Sequence, residues 1–341
     1  MIRSPSERHS AAVGARARYD WRALAGHVLE GHPLTEQEAL GVLESSDDDL
    51  LDVMAAAFRV RRHFFGTRVQ LYFLMNAKSG LCSEDCEYCS QSKIASSNIP
   101  KYNLLDRRAI LDGARLAIER KAKTYCIVLS GRSPSEREMD AVTRIVPEIK
   151  AEHDLKICVC LGLLNDEQAS QLKACGVDRV NHNVNTSPDY YGRICSTHSY
   201  QDRIDTLRAV RASGLEVCSG GIVGMGERPV DVARMAIELR DLGVESIPVN
   251  FLISIDGTPL ESVDRLSPRD CLRVLAMFRL VNPDREIRIA GGREQKLKSL
   301  QPLGLYAANS IFVGDYLTTE GQPAAADYAM IEELGFQVDV A

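Results

Sequence analysis

The chain has 341 residues, 45% of them hydrophobic and 26% charged, a globular balance that argues against wholesale disorder. The net charge of -6 argues against a broad basic face for nucleic acid, and no apolar run reaches the roughly 18 residues of a membrane span. Neither nucleic acid nor a membrane is therefore an expected partner. The first twenty residues carry four arginines but no apolar core of a secretory signal, so residues 1–19 are expected to be a disordered tail, with an organelle address as the lesser alternative. The ten cysteines, with no secretory signal before them, then point to free thiols in a reducing, cytoplasmic compartment.

Residues 20–65 read as helices. Thr35-Glu36-Gln37-Glu38 is a capping box opening a helix through Leu43, and a second helix is expected from Asp47 to His63. From Val69 short β-branched runs alternate with amphipathic helical stretches. The runs are 69–76, 124–129, 155–161, 178–184, 215–223, 246–253, 286–290 and 309–313, and the clearest helices between them are 136–152, 200–213, 229–242 and 268–280. Strand-then-helix repetition means parallel strands with crossover helices, and eight units over about 245 residues match a closed (β/α)₈ barrel. A doubly wound open sheet is the alternative, since periodicity does not show closure. The expected organisation is an α/β chain: N-terminal helices over 20–65, a barrel over 66–318, and a C-terminal tail or helix over 319–341.

Directly after the first expected strand come Cys82, Cys86 and Cys89, spaced C-x₃-C-x₂-C, where barrel active sites sit. Random placement of ten cysteines gives such a pattern in roughly one shuffled chain in a hundred, so the spacing is informative. Three thiolates on a short loop, with no histidine nearby in sequence, make a poor zinc site. They suit a 4Fe–4S cluster, holding three irons and leaving the fourth open to a ligand.

This spacing, with Tyr88 just before the last cysteine, resembles the radical S-adenosylmethionine superfamily, in which the open iron chelates S-adenosylmethionine and yields a 5′-deoxyadenosyl radical. The stretches NAKSGLCSEDCEYCSQS, VNHNVNTSP, VCSGGIVGMGE, SIPVNFL, DGTPL, IRIAGGRE and ANSIFVGDYLTT together resemble the biotin synthase family, from about Val69 to about Thr319. That resemblance implies a sulfurtransferase inserting sulfur between C6 and C9 of dethiobiotin, with sulfur drawn from a second, 2Fe–2S cluster. It also implies a homodimer, a flavodoxin- or ferredoxin-type electron donor and dependence on iron–sulfur assembly machinery. Neither carbon carries an acidic proton, so no side chain is expected to act as catalytic acid or base beyond the cofactors.

Matched motif by motif, the second cluster's ligands are implied to be Cys126, Cys158, Cys218 and Arg288. Cys158 and Cys160 share a strand face, so pattern alone leaves that choice open and the resemblance selects Cys158. Arg288 without the resemblance reads as a salt-bridged strand arginine. Cys160, Cys175, Cys195 and Cys271 read as small buried residues, Cys175 and Cys271 in helices and Cys195 in a connection.

Asn181, Asn183 and Asn185 fall at period 2 on the fourth expected strand, and inward amides need hydrogen-bond partners. The resemblance implies substrate contacts at Asn181, Asn183 and Asn250, and S-adenosylmethionine contacts at Tyr88, Asn183, Asn185, Arg203, Ile222 and Glu227. Asn185 stands where the family commonly has Asp, which removes a charged ribose acceptor but keeps an amide oxygen. The competing functions are another radical S-adenosylmethionine barrel, such as a maturase or mutase, and a non-catalytic iron–sulfur electron carrier. A carrier usually gives every iron a protein ligand, which three loop cysteines do not supply.

Overall fold

The computed structural model describes residues 19–340, so the tail expected over 1–19 lies, but for Tyr19, outside the described residues. Three helices come first: α1 (Trp21–Leu29), α2 (Glu36–Leu43) and α3 (Leu50–Phe65). Asp20 caps α1 by accepting from Ala23 N at 2.9 Å. The capping box of α2 forms as read, Glu38 N donating to Thr35 Oγ1 at 3.3 Å and Thr35 N to the Glu38 carboxylate at 2.9 Å. Helix α3 starts three residues later than the expected Asp47, because Asp47 turns away to pair with Arg273 at 2.6 Å.

The following elements are β1 (Arg68–Lys78), α4 (Arg107–Glu119), β2 (Thr124–Leu129), α5 (Glu136–Glu152), β3 (Lys156–Cys160), α6 (Asp166–Ala174), β4 (Arg179–Asn181), α7 (Pro188–Tyr191), α8 (Tyr200–Ala212), β5 (Glu216–Cys218), β6 (Gly221–Val223), α9 (Pro229–Asp241), β7 (Ser246–Phe251), α10 (Pro268–Val281), β8 (Glu286–Ile289), α11 (Arg293–Leu297), α12 (Gln301–Gly304), β9 (Ser310–Phe312), α13 (Ala324–Glu333) and β10 (Gln337–Val338). All strand pairings are parallel, and β1 pairs with both β2 and β9, so the sheet closes. The barrel is therefore closed and the open sheet is excluded. β5 and β6 are two halves of one barrel strand, interrupted at Ser219-Gly220. The short β10 adds to the start of β1 through Arg68 and Val69.

Alternation along the strands separates two environments. Leu71, Phe73, Tyr125, Ile127, Ile157, Val159, Val217, Ile247, Ile287 and Ile311 join the core between barrel and helices. The intervening residues point inward, where Tyr72, Cys126 and Cys158 form a separate small cluster. Helix α10 is buried from Asp270 to Val281, since α2 and α3 cover the side that the barrel does not. Its arginines are satisfied locally: Arg279 donates to the Ala307 carbonyl at 2.9 Å and to Asn309 Oδ1 at 2.6 Å. At the C-terminal end the buried pair Arg293–Asp327, at 2.7 Å, fastens α13 to the barrel.

Gly220, in the strand break, passes so close to β7 that a Cβ there would lie 1.9 Å from the Pro248 carbonyl oxygen. Gly26, inside α1, has nothing within 4 Å of the equivalent point. Gly220→Ala is expected to lower the unfolding free energy by about 1–3 kcal/mol through overpacking. Gly26→Ala is expected to raise it by about 0.4–1 kcal/mol through lost unfolded-state freedom. Urea titrations of both variants check the opposite signs.

Candidate active site inside the barrel

The strands end at a cavity of about 390 Å³ lined by residues at and beyond their C-terminal ends. The loop after β1 crosses it and brings Cys82, Cys86 and Cys89 to the wall. This loop is pinned at both ends: Gly80 N donates to Gln91 Oε1 at 3.0 Å and Lys93 N to the Glu84 carbonyl at 2.8 Å. Two acids between the first two cysteines clamp it to the segment after α7. Asp85 Oδ1 accepts from Ser196 N at 2.9 Å and Thr197 N at 3.1 Å, while Glu84 Oε2 accepts from Thr197 Oγ1 at 2.7 Å and from His198 Nδ1 at 2.5 Å. Against the upward push of burial, the bonds from Ser196, Cys195 and Thr197 hold the Asp85 carboxyl far below the usual range. His198 thus reaches the loop from 109 residues beyond Cys89, whereas the sequence neighbourhood offered no histidine. Cys195 is buried as expected but is not inert packing, because its Sγ contacts Cys86 Sγ at 3.8 Å and Asp85 Oδ1 at 3.3 Å.

At the barrel floor Cys126 pairs in register with Cys158, and Asn181 with Cys218. Cys158 packs with Cys126 and Tyr72 in one buried cluster. Cys160, two residues on, also lines the cavity but lies above this group, so geometry separates the two residues that pattern left equivalent. Arg288 stacks on the Tyr72 ring, its guanidinium carbon 3.4 Å from the ring centroid, and its Nη1 stands 3.9 Å from Cys218 Sγ. Its Nη2 donates to Glu286 Oε1 at 2.9 Å. Arg288 is therefore a salt-bridged strand arginine whose guanidinium also stands beside a thiol.

Glu286 is the hub of the floor. Besides Arg288 it takes hydrogen bonds from Tyr72 OH at 2.7 Å and from Arg179 Nη1 at 2.9 Å, both on Oε2. Burial alone would raise its pKa, but Arg288 and Arg179 outweigh that and hold it at about 2. Neither Tyr72, Arg179 nor Glu286 was anticipated from sequence. The available signal was a charged residue at an inward position of a strand, which a packed barrel does not tolerate without a partner.

The thiols show the opposite shift. Contact with Cys126 and burial push Cys158 up, burial does so for Cys218, and burial raises Cys89 to about 11. Crowded, buried, neutral thiols gain most from a bound cation, which turns each into a thiolate ligand. The donor set therefore fits iron–sulfur groups: three thiols at the mouth, and three thiols with a guanidinium at the floor.

Asn181, Asn183, Asn185, Tyr88, Arg203, Ile222 and Asn250 line the same cavity, but Glu227 does not. The Glu227 carboxylate folds back to accept from Gly224 N at 2.6 Å, shaping the turn after β6. β4 ends at Asn181, earlier than the expected 184, and Asn185 sits beyond it at φ 70°, a conformation that asparagine tolerates. Its Nδ2 donates to Tyr88 OH at 2.6 Å. Asn183 Oδ1 accepts from Gly220 N at 3.1 Å, and Asn250 Oδ1 from Gly291 N at 2.9 Å. Arg203 is buried rather than exposed on its helix, donating to the Asn183 carbonyl at 2.7 Å and to His198 Nε2 at 2.7 Å.

Glu286→Gln leaves Arg288 inside the barrel without its anion and Arg179 with Glu216 alone. The expected outcome is a loss of about 3–5 kcal/mol in unfolding free energy at neutral pH, read from urea denaturation.

Residues 78–239 match the radical SAM superfamily and residues 248–337 the biotin and thiamin synthesis associated domain. Among solved structures, methylornithine synthase (PylB) superposes with a TM-score of 0.79 at 19% identity, covering 92% of this chain and 97% of that one. The FeFe-hydrogenase maturase HydG from Carboxydothermus hydrogenoformans gives 0.79 at 16% identity, covering 94% and 80%. At these identities the likeness concerns the fold. Sequence relatives go further: a biotin synthase of Rhodopirellula baltica is 62% identical over 93% of this chain and 88% of its own length. One of Anoxybacillus flavithermus is 54% identical over 94% and 98%. With both domains matched in order and identity above one half along nearly the whole length, the chain belongs to the biotin synthase family of radical SAM enzymes.

Proposed function

We propose that this protein converts dethiobiotin to biotin by radical sulfur insertion at C9 and C6, consuming S-adenosylmethionine. The observation that carries this reading is the placement of two thiol sets at one cavity: Cys82, Cys86 and Cys89 at the mouth, and Cys126 and Cys158 with Arg288 at the floor, where Cys218 lies just behind the wall with its Sγ 3.9 Å from Arg288 Nη1. When bound, a 4Fe–4S cluster held by Cys82, Cys86 and Cys89 would supply the electron for cleaving S-adenosylmethionine, and a 2Fe–2S cluster held by Cys126, Cys158, Cys218 and Arg288 would supply the sulfur.

The chain's own residues bind, orient and shield. Arg203, Asn183, Asn185, Tyr88 and Ile222 form the S-adenosylmethionine side of the cavity. Asn181, Asn183 and Asn250 offer amide groups to the ureido ring of dethiobiotin. Glu227 acts on the first of these sites from behind, by holding the turn at Gly224. Such fixed contacts matter because a primary alkyl radical abstracts any hydrogen within reach, so selectivity between carbons is a matter of position. Arg288, held by Glu286 and Tyr72, brings a permanent positive charge to the floor thiols. A flavodoxin- or ferredoxin-type protein delivers the electron, iron–sulfur assembly proteins restore the smaller cluster, and two chains associate as a homodimer, all on the strength of the family resemblance. Among the described residues no helix is long and apolar enough to cross a membrane.

The direct test is anaerobic incubation of the reconstituted, reduced protein with S-adenosylmethionine and dethiobiotin, followed by mass analysis. Biotin and 5′-deoxyadenosine are the expected products, and 5′-deoxyadenosine without biotin on any substrate analogue would indicate a different radical enzyme. Cys86→Ser is expected to abolish 5′-deoxyadenosine formation, because a harder oxygen ligand disfavours cluster assembly. Full cleavage by that variant would remove Cys86 from the ligand set.

Three inward thiols below a substrate-filled cavity are out of reach of a diffusing sulfur donor. Protein whose 2Fe–2S site is rebuilt with isotopically labelled sulfide should therefore place the label in first-turnover biotin. Unlabelled biotin would transfer the role of donor to a cysteine persulfide, with Cys126 and Cys158 the first to examine.

A further inference from the structure

The loop after β1 has a second face, turned away from the cavity. There Cys195 Sγ stands 3.8 Å from Cys86 Sγ, on segments 109 residues apart in sequence. Both thiols are buried, and three backbone contacts beside them fix their approach. Glu87 N donates to the Ile194 carbonyl at 2.9 Å, and Asp85 Oδ1 accepts from Ser196 N at 2.9 Å and Thr197 N at 3.1 Å. The residues on either side of each cysteine are thus tied to the opposite segment, so the pair does not drift apart. To bond, the sulfurs close from 3.8 Å to about 2.05 Å between segments already held side by side. Access is unequal: Cys86 lines the open cavity, while Cys195 lies behind it and does not.

We propose that Cys86 and Cys195 form a reversible disulfide in protein whose loop cysteines are free of metal, with a low-molecular-weight disulfide as oxidant. The Cys86 thiolate attacks the small disulfide and forms a mixed disulfide, expelling one small thiolate. The Cys195 thiolate then attacks the Cys86 sulfur, closing the protein disulfide and expelling the second. Two protein thiols are oxidised, one small disulfide is reduced to two small thiols, and the two thiol protons leave with them. The bond holds Cys86 at an oxidation level that thiols reverse, short of sulfinic and sulfonic acids. It also withholds Cys86 from iron until reduction, a consequence that rests on reading Cys86 as a cluster ligand.

The test uses the full-length chain stripped of iron under anaerobic conditions, exposed to cystine, alkylated, digested without reductant and mapped by mass spectrometry. The expected result is a cross-linked peptide pair joining Cys86 to Cys195, the loss of two alkylatable thiols per chain, and their return with dithiothreitol. Cys195→Ser and Cys195→Val should each lack the cross-link and leave Cys86 capped by half-cystine, while still taking up iron and sulfide under reducing conditions. Cys86 recovered joined to Cys82 or Cys89, or simply alkylated in the unsubstituted chain, would overturn the proposal. The mapping needs no turnover, so its failure is distinct from failure of the proposed activity.

Discussion

One buried carboxylate sets the chemistry of the barrel interior. Glu286 accepts from Tyr72, Arg179 and Arg288 at once, three groups from three different strands. An ordinary (β/α)₈ interior is filled with layers of branched apolar side chains. Here the inward layer carries two guanidinium groups, and burying them without an anion would cost more than a domain's margin of stability permits. Glu286 makes that layer possible, and Glu216, which pairs with Arg179 from β5, shares the load. The position of Arg288 is then determined twice, by the ion pair on one side and by the Tyr72 ring beneath it.

This arrangement explains why cysteines, arginine and acid occur together. Buried thiols close to one another resist ionisation, as the upward shifts of Cys158 and Cys218 show. A neighbouring fixed cation favours the thiolate form, and both Arg288 and Arg179 act in that direction on Cys218. The arginines must themselves be neutralised in part, or their mutual repulsion would open the floor. A carboxylate placed between them, rather than beside the thiols, does this without competing for the same sulfur atoms. The floor is a balanced set of charges whose thiols are left as the free donors.

Much of the fold was legible because strands and helices alternate with unambiguous periods. The eight β-branched runs became the eight barrel strands, with LEVCSGGIV split where Gly220 and Gly221 press against β7 and α9. Closure was not legible, since it depends on β1 meeting β9 across 240 residues of chain, and no local pattern records that pairing. The loop cysteines were readable from spacing, because ligands to one metal group can lie within a few residues. Cys126, Cys158, Cys218 and Arg288 were separable from their neighbours only through the resemblance, for they meet through register between strands. His198, Glu84 and Asp85 escaped because they serve the site by contact with the far segment 194–198, and an acidic pair in a loop ordinarily reads as solvated surface. Glu227 differs in another way: its carboxylate folds back onto Gly224 N and is not part of the cavity wall.

That last case reflects a wider feature of the cavity wall. Asn183 and Asn250 each commit the amide oxygen to a backbone N–H, at Gly220 and Gly291, and Arg203 commits nitrogens to the Asn183 carbonyl and to His198. Polar side chains tied in this way lose little further rotamer freedom when a ligand arrives, so more of each contact appears as binding and orientation. The requirement is severe for radical chemistry, in which a misplaced C–H bond is attacked as readily as the correct one. If Asn183 and Asn250 hold the ureido ring as proposed, a wall of free amides would bind it as well in the ground state yet leave the substrate's side chain to wander. In the proposed reading the backbone tethers turn the same residues from adaptable contacts into a fixed template; the tether on Asn183 depends on the strand break at Ser219-Gly220, and that on Asn250 on Gly291 just after β8. At Asn183 the local irregularity of the barrel and the rigidity of the cavity wall are consequently one property of the structure.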